Sequence, residues 1–151
     1  MSEGQSVNIL LVEDDEIDVK AFRRAFKKLN ITNPLHVESD GVHAFEYLDK
    51  CLSEKSDETP NLLVLDINMP RMNGLELLKK IRTDERMRSL IVFMLTTSND
   101  EGDKFEAYNL NVAGYMLKTD MGSGFQRAVE LVDNYWRVIE FPERDYAPNA
   151  A

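Results

Sequence analysis

Four places in the chain gather residue types that can do chemistry together. They are the acidic run Glu13-Asp14-Asp15-Glu16, Asp66, the hydroxyl run Thr96-Thr97-Ser98, and Lys118. Taken singly, each has an ordinary reading. Asp14 or Asp15 would cap a helix, whose N-terminus favours negative charge. Asp66 would be a turn residue, Thr96 a β-branched strand residue and Lys118 a solvated charge. Taken together they predict more. If Glu13, Asp14 and Asp66 share one small space, two charges ~4 Å apart repel by about 4 kcal/mol at an effective dielectric near 20. Such a cluster must raise a pKa or recruit a cation. Hard oxygen ligands that leave a cation partly hydrated suit Mg²⁺, which takes one or two carboxylates and then phosphate oxygens. A Lys118 ammonium and a Thr96 hydroxyl facing that cluster would orient and neutralise an incoming phosphoryl group, which is most of what phosphoryl transfer requires. Asp66 is then the nucleophile, because a carboxylate can form an acyl phosphate.

These residues meet only if the elements before them end on one rim. Residues 7–12 (VNILLV), 61–65 (NLLVL), 90–95 (LIVFML) and 113–117 (AGYML) are nearly continuous apolar runs, as in strands buried on both faces. Residues 35–38 make a weaker run, expected near a sheet edge. Between them the period becomes helical. Ile17, Ala21, Phe22, Ala25, Phe26 and Leu29 line one face; Val42, Phe45 and Leu48 line a second, opened by Ser39-Asp40-Gly41. Leu75, Leu78 and Ile81 mark a third after Gly74. Ser98 and Glu101 have capping-box spacing ahead of a fourth, which runs toward Leu110. A fifth is expected from near Met121 to about Val138. Five strands alternating with five helices predict an α/β domain with a doubly wound parallel sheet and right-handed crossovers. Ligands of such sheets bind outside the carboxyl ends of the strands. Each of the four chemical clusters follows the end of an apolar run.

Composition narrows the function classes. With 18 Lys+Arg against 27 Asp+Glu, the net charge of −9 argues against a nucleic-acid-binding surface. No apolar run approaches the roughly 20 residues of a membrane span, and the first residues lack the pattern of a signal peptide. The single cysteine, Cys51, forms neither an intrachain disulfide nor a cysteine metal site. A cytoplasmic protein is expected, with one domain over residues 1–138 and a tail over 139–151.

The chain resembles the receiver domain of bacterial two-component response regulators from about residue 7 to residue 138. The matching motifs are Leu11-Val12-Glu13-Asp14-Asp15, Leu65-Asp66-Ile67-Asn68-Met69-Pro70, Met72-Asn73-Gly74, Leu95-Thr96-Thr97 and Gly114-Tyr115-Met116-Leu117-Lys118. The resemblance implies sheet order 2-1-3-4-5, a flavodoxin-like topology. It implies that Asp66 is phosphorylated by a phosphohistidine on a partner sensor histidine kinase. Mg²⁺ would be held by Asp14, Asp66 and the backbone carbonyl of Asn68, with Glu13 acting through water. Lys118 would bind a phosphoryl oxygen, and Thr96 and Tyr115 would move together as the switch. Two positions depart from the pattern. Thr119 stands where receivers usually carry a proline, which leaves the geometry of the Lys118–Thr119 bond open. Thr97 is larger than the usual alanine or glycine, and would restrict access to the phosphoryl group. Leu95-Thr96-Thr97-Ser98, Lys118-Thr119, Tyr135-Trp136 and Phe141-Pro142 are also similar to the single-domain regulators that partner bacterial phytochromes.

Three rival readings fit less well. A haloacid-dehalogenase type of phosphatase needs a second Asp two positions after the nucleophile, where Asn68 stands. A flavin or dinucleotide carrier needs a glycine-rich first turn, where Glu13–Glu16 would repel a phosphate. A pseudo-receiver, acting only as an interaction module, would be expected to lack one of Asp14, Asp66, Thr96 or Lys118. With no DNA-binding domain in view, the expected output is a protein-interaction surface or relay to another histidine. The apolar residues between Phe125 and Ile139 cover an arc of about 180° on a helical wheel, wider than the roughly 100° of a core-facing stripe. A homodimer through the fifth helix and the tail is therefore expected, the competing cover being the tail folding back within one chain.

Overall fold

A computed structural model of the chain describes residues 7–118 and 125–143. Strands and helices alternate as β1 (Ile9–Val12), α1 (Glu16–Lys28), β2 (Leu35–Glu38), α2 (Gly41–Ser53), β3 (Leu62–Leu65), α3 (Gly74–Thr83), β4 (Ile91–Thr96), α4 (Glu101–Asn109), β5 (Gly114–Leu117) and α5 (Gln126–Val138). The strands form one parallel sheet in the order β2-β1-β3-β4-β5. Side chains alternate across it, so each central strand feeds two cores. Leu10, Val12, Leu63, Leu65, Val92 and Met94 pack against α2, α3 and α4. Ile9, Leu11, Leu62, Val64, Phe93 and Leu95 pack against Phe22 and Phe26 of α1 and Val129, Val132 and Trp136 of α5. This two-sided burial is why β1 and β3 read as unbroken apolar runs.

Three local expectations need correction. The run 113–117 has the apolar character of the central strands, yet β5 is half-exposed along its length, because it lies at the sheet edge beside β4 alone. Ile17 shares a helical face with Ala21, Phe22, Ala25 and Phe26 but is 74% exposed. β1 stops at Val12, and the first turn of α1 stands beyond the sheet that covers Phe22 and Phe26. Ser98 does not cap α4. Asp100 does, accepting the Asp103 N–H at 3.0 Å. An N-cap carbonyl normally accepts the first bond of its helix, but the Ser98 carbonyl accepts the Tyr115 hydroxyl at 2.9 Å. Ser98 thus stays with the strand end, and its own hydroxyl bonds the Asp103 carboxylate at 2.5 Å. The expected start of the fifth helix near Met121 and the Lys118–Thr119 bond lie outside the described residues.

Asp40 anchors α2. Its side chain, nearly sealed from solvent, accepts the His43 N–H at 2.9 Å and pairs with the His43 ring at 2.8 Å, with Arg71 at 3.8 Å. Burial pushes its carboxyl up, but the two His43 bonds and the Arg71 charge outweigh it and hold it below the usual range. A carboxylate depressed in this way stabilises the fold above its unfolded pKa of about 3.9, and that contribution disappears as pH falls through the lower folded value. Asp40→Ala is therefore expected to cost about 1 kcal/mol at neutral pH, the usual worth of such a cap. The gap from wild type should close in acid, as read from urea unfolding at a series of pH values.

Candidate functional site

The carboxyl ends of β1, β3 and β5 meet at a buried ion cluster. Lys118, at the end of β5, places Nζ 2.6 Å from Glu13 Oε1, 2.7 Å from Asp18 Oδ2 and 3.1 Å from Asp66 Oδ2. Glu13 and Asp66 are buried, while Asp14 is exposed at the mouth. Glu13, Asp14 and Asp66 each offer a carboxylate oxygen, all within 4.8 Å of one another. Local geometry fixes each group. The second Glu13 oxygen accepts the Asp15 N–H at 3.1 Å, and Asp15 caps α1 through Ile17 and Asp18. The loop after Asp66 folds back over the rim and enters α3 through a capping box between Asn73 and Glu76. A Cβ at Gly74 would overlap the carbonyl of Asp66, so only glycine lets this loop close.

Three carboxylates share one ammonium here. Burial drives the Lys118 pKa down, but bonds to Asp18 and Glu13 and the charge of Asp66 drive it up further, so the ammonium stays charged. The surplus negative charge falls on Glu13. Burial raises its pKa; the bond from Lys118 lowers it; the charge of Asp66 raises it again, leaving it at about 7. That deficit of positive charge, beside three converging carboxylates, is what a divalent cation would satisfy. The residues present fit Mg²⁺.

Around this cluster lie the hydroxyls. Thr96 is fully buried at the end of β4, its Oγ accepting the Ser98 N–H at 3.3 Å. The Asn68 N–H donates to Asp66 Oδ1 at 3.4 Å, and its side-chain amide donates to Thr97 Oγ1 at 3.3 Å. Thr97 and Asn68 thereby close a bridge between the β3 and β4 ends.

The sequence matches the family model described as Response regulator receiver domain over residues 9–129. The chain belongs to the response regulator receiver family. It is 35% identical over 129 residues to the probable methanogenesis regulatory protein FilR2 of Methanothrix harundinacea, covering 85% of this chain and 82% of that protein. It is 30% identical over 128 residues to the response regulator Rcp1 of Synechocystis, covering 85% and 87%. The crystal structure of Rcp1 in a Mn²⁺-bound form superposes with a TM-score of 0.79 at 30% identity, covering 90% of this chain and 99% of that one. The phosphorylated cyanobacterial phytochrome response regulator RcpA superposes with a TM-score of 0.79 at 28% identity, covering 90% and 97%.

The receiver brings Glu13, Asp14, Asp66 and Lys118 together as the sequence predicted, with Asn68 on the adjoining loop. Tyr115 is half-buried on β5, tied to Ser98 rather than directed at Thr96. Asp18 was missed. An acid in the first turn of α1 reads as a partner of the helix dipole, and only its place one turn beyond Asp14 and Asp15 hinted that it shares their rim. Among the described residues, no helix is long and apolar enough to cross a membrane.

Proposed function

We propose that this receiver is a single-domain response regulator whose Asp66 accepts a phosphoryl group from a phosphohistidine on a sensor histidine kinase, with Mg²⁺ bound beside it. The observation that carries the reading is the Asp66 carboxylate held 3.1 Å from the Lys118 ammonium inside the Glu13–Asp14–Asp66 cluster. Asp14, Asp66 and the backbone carbonyl of Asn68 would hold the cation, with Glu13 reaching it through water. Bound there, Mg²⁺ supplies positive charge against the phosphoryl oxygens. One Asp66 oxygen forms the new P–O bond as the P–N bond of the phosphohistidine breaks, its electron pair leaving on the imidazole. Lys118 donates to a phosphoryl oxygen and keeps the acceptor oriented. The Asn68–Thr97 bridge limits approach of water to the product. The similarity to the cyanobacterial phytochrome response regulator RcpA supports a bacterial phytochrome as the kinase.

Bonds already present support a switch through Thr96 and Tyr115. Thr96 and Tyr115 both hold Ser98, one at its N–H and one at its carbonyl. A phosphoryl group that draws the Thr96 hydroxyl toward Asp66 releases the first bond and opens room for Tyr115 to follow. The ligand thus selects between two states by differential contact. Beryllofluoride with Mg²⁺ should move amide signals over residues 96–103 and 113–118 while leaving β2 and α2 still. Free and activated spectra that coincide in those segments would contradict the switch.

A homodimer through α5 and the tail belongs to the same reading. Leu131 and Val138 lie seven residues apart on one face of α5 and are 51% and 80% exposed, while Phe141 packs back onto the chain's own core. The tail covers one part of the apolar arc and leaves this stripe for a second subunit. Light scattering at tens of micromolar should give a dimer, weakened by ending the chain after Val138. A monomeric full-length protein, phosphorylated or not, would rule it out.

A further inference from the structure

All three N–H groups of the Lys118 ammonium have a carboxylate within reach. Two of those carboxylates, Glu13 and Asp66, stand at strand ends. The third is Asp18, in the first turn of α1, where Oδ2 lies 2.7 Å from Nζ. Asp18 is built into a rigid frame: its N–H donates to the Asp15 cap at 3.3 Å, at the head of a 13-residue helix. Lys118, by contrast, sits on a flexible four-carbon stem at the end of an edge strand.

We propose that Asp18 is a positioning residue which, with Glu13, holds the Lys118 ammonium so that its remaining N–H points at Asp66 and the phosphoryl group Asp66 carries. The proposal rests on the reading of Asp66 as the phosphoryl acceptor. The three distances divide the work. The contacts to Glu13 and Asp18, at 2.6 and 2.7 Å, are the anchors, and the contact to Asp66, at 3.1 Å, is the weakest and the one to be exchanged for a phosphoryl oxygen. An extra carboxylate near an anion site also repels the anion. That repulsion is the smaller effect, because the Asp18 charge is partly offset at close range by the ammonium it holds. The Lys118 side chain is only 8% exposed, so bulk water does not readily replace a lost carboxylate. An ammonium released by Asp18 keeps Glu13 as its single anchor, and its third N–H is no longer fixed toward Asp66 and the phosphoryl oxygen.

Calorimetry with beryllofluoride and Mg²⁺ on the full chain tests this. Asp18→Ala should weaken beryllofluoride binding about tenfold, the scale of one charge-assisted hydrogen bond. Asp18→Asn, whose amide oxygen still accepts from Lys118, should stay within about threefold of wild type. Mg²⁺ affinity alone should be unchanged in both, since Asp18 is outside the metal cluster. The Lys118 ¹⁵N side-chain signal should exchange slowly with water in wild type and Asp18→Asn, and fast in Asp18→Ala. If Asp18→Ala does not fold, Asp18→Ser takes its place, because its hydroxyl is too short to reach. Wild-type affinity in Asp18→Ala, equal weakness in Asp18→Asn, or a parallel loss of Mg²⁺ would overturn the role. Wild-type protein that binds no beryllofluoride would instead overturn the reading of Asp66, and the role of Asp18 with it.

Discussion

Asp66→Asn is expected to abolish stable phosphorylation. The amide oxygen is far less nucleophilic than a carboxylate and cannot yield a stable acyl phosphate. Neither neighbour is equipped to replace it. Glu13 is buried beneath Lys118 with its second oxygen bonded to the Asp15 N–H, and Asp14 stands exposed at the rim. The same substitution removes one of three carboxylates that share a single ammonium. Without metal, Asp66→Asn should therefore unfold at the same or a higher temperature than wild type, the usual exchange of stability for function at a charged site. Phosphate-affinity gels after treatment with acetyl phosphate read the first effect, and a thermal scan in EDTA reads the second. A full-strength phosphorylated band in the variant would refute the assignment. A large fall in the midpoint would refute the electrostatic account of the cluster.

The second large effect falls on the cation. Lys118 contacts Glu13, Asp18 and Asp66, which leaves Asp14 as the member of the metal cluster outside its reach. Asp14→Ala should weaken Mg²⁺ binding at least about tenfold, roughly 1.4 kcal/mol. The gross attraction of a carboxylate for a divalent ion is larger, but dehydrating Mg²⁺ consumes most of it. The fold should survive, because Asp14 is exposed and Asp15 caps α1. Titration by calorimetry decides the point. An unchanged Mg²⁺ affinity in Asp14→Ala would place the metal elsewhere.

Much of this was legible because the two-sided core writes itself plainly. Leu10 and Ile9 are both buried, on opposite faces, so β1 has no polar alternation to blur it, and the residue after the run marks the rim. Glu13, Asp66 and Lys118 were found by that rule. It misled at β5, where Tyr115 and Met116 are apolar yet lie at an edge. It misled at Ile17, where helical period predicts a face but not how far the sheet extends beneath it. The α4 cap depended on a bond from Tyr115 to Ser98, 17 residues away, which no local pattern encodes. Asp18 is the same kind of case. Its partner Lys118 is 100 residues distant, and its own neighbourhood explains it adequately as a helix-start acid.

Intact-mass and peptide-mapping analysis after acetyl phosphate treatment, with and without Mg²⁺, decides whether Asp66 is the phosphoryl acceptor. A single added phosphoryl group is expected, dependent on Mg²⁺ and located on Asp66. No adduct, an adduct that forms equally well in EDTA, or one located on any other residue would contradict that expectation.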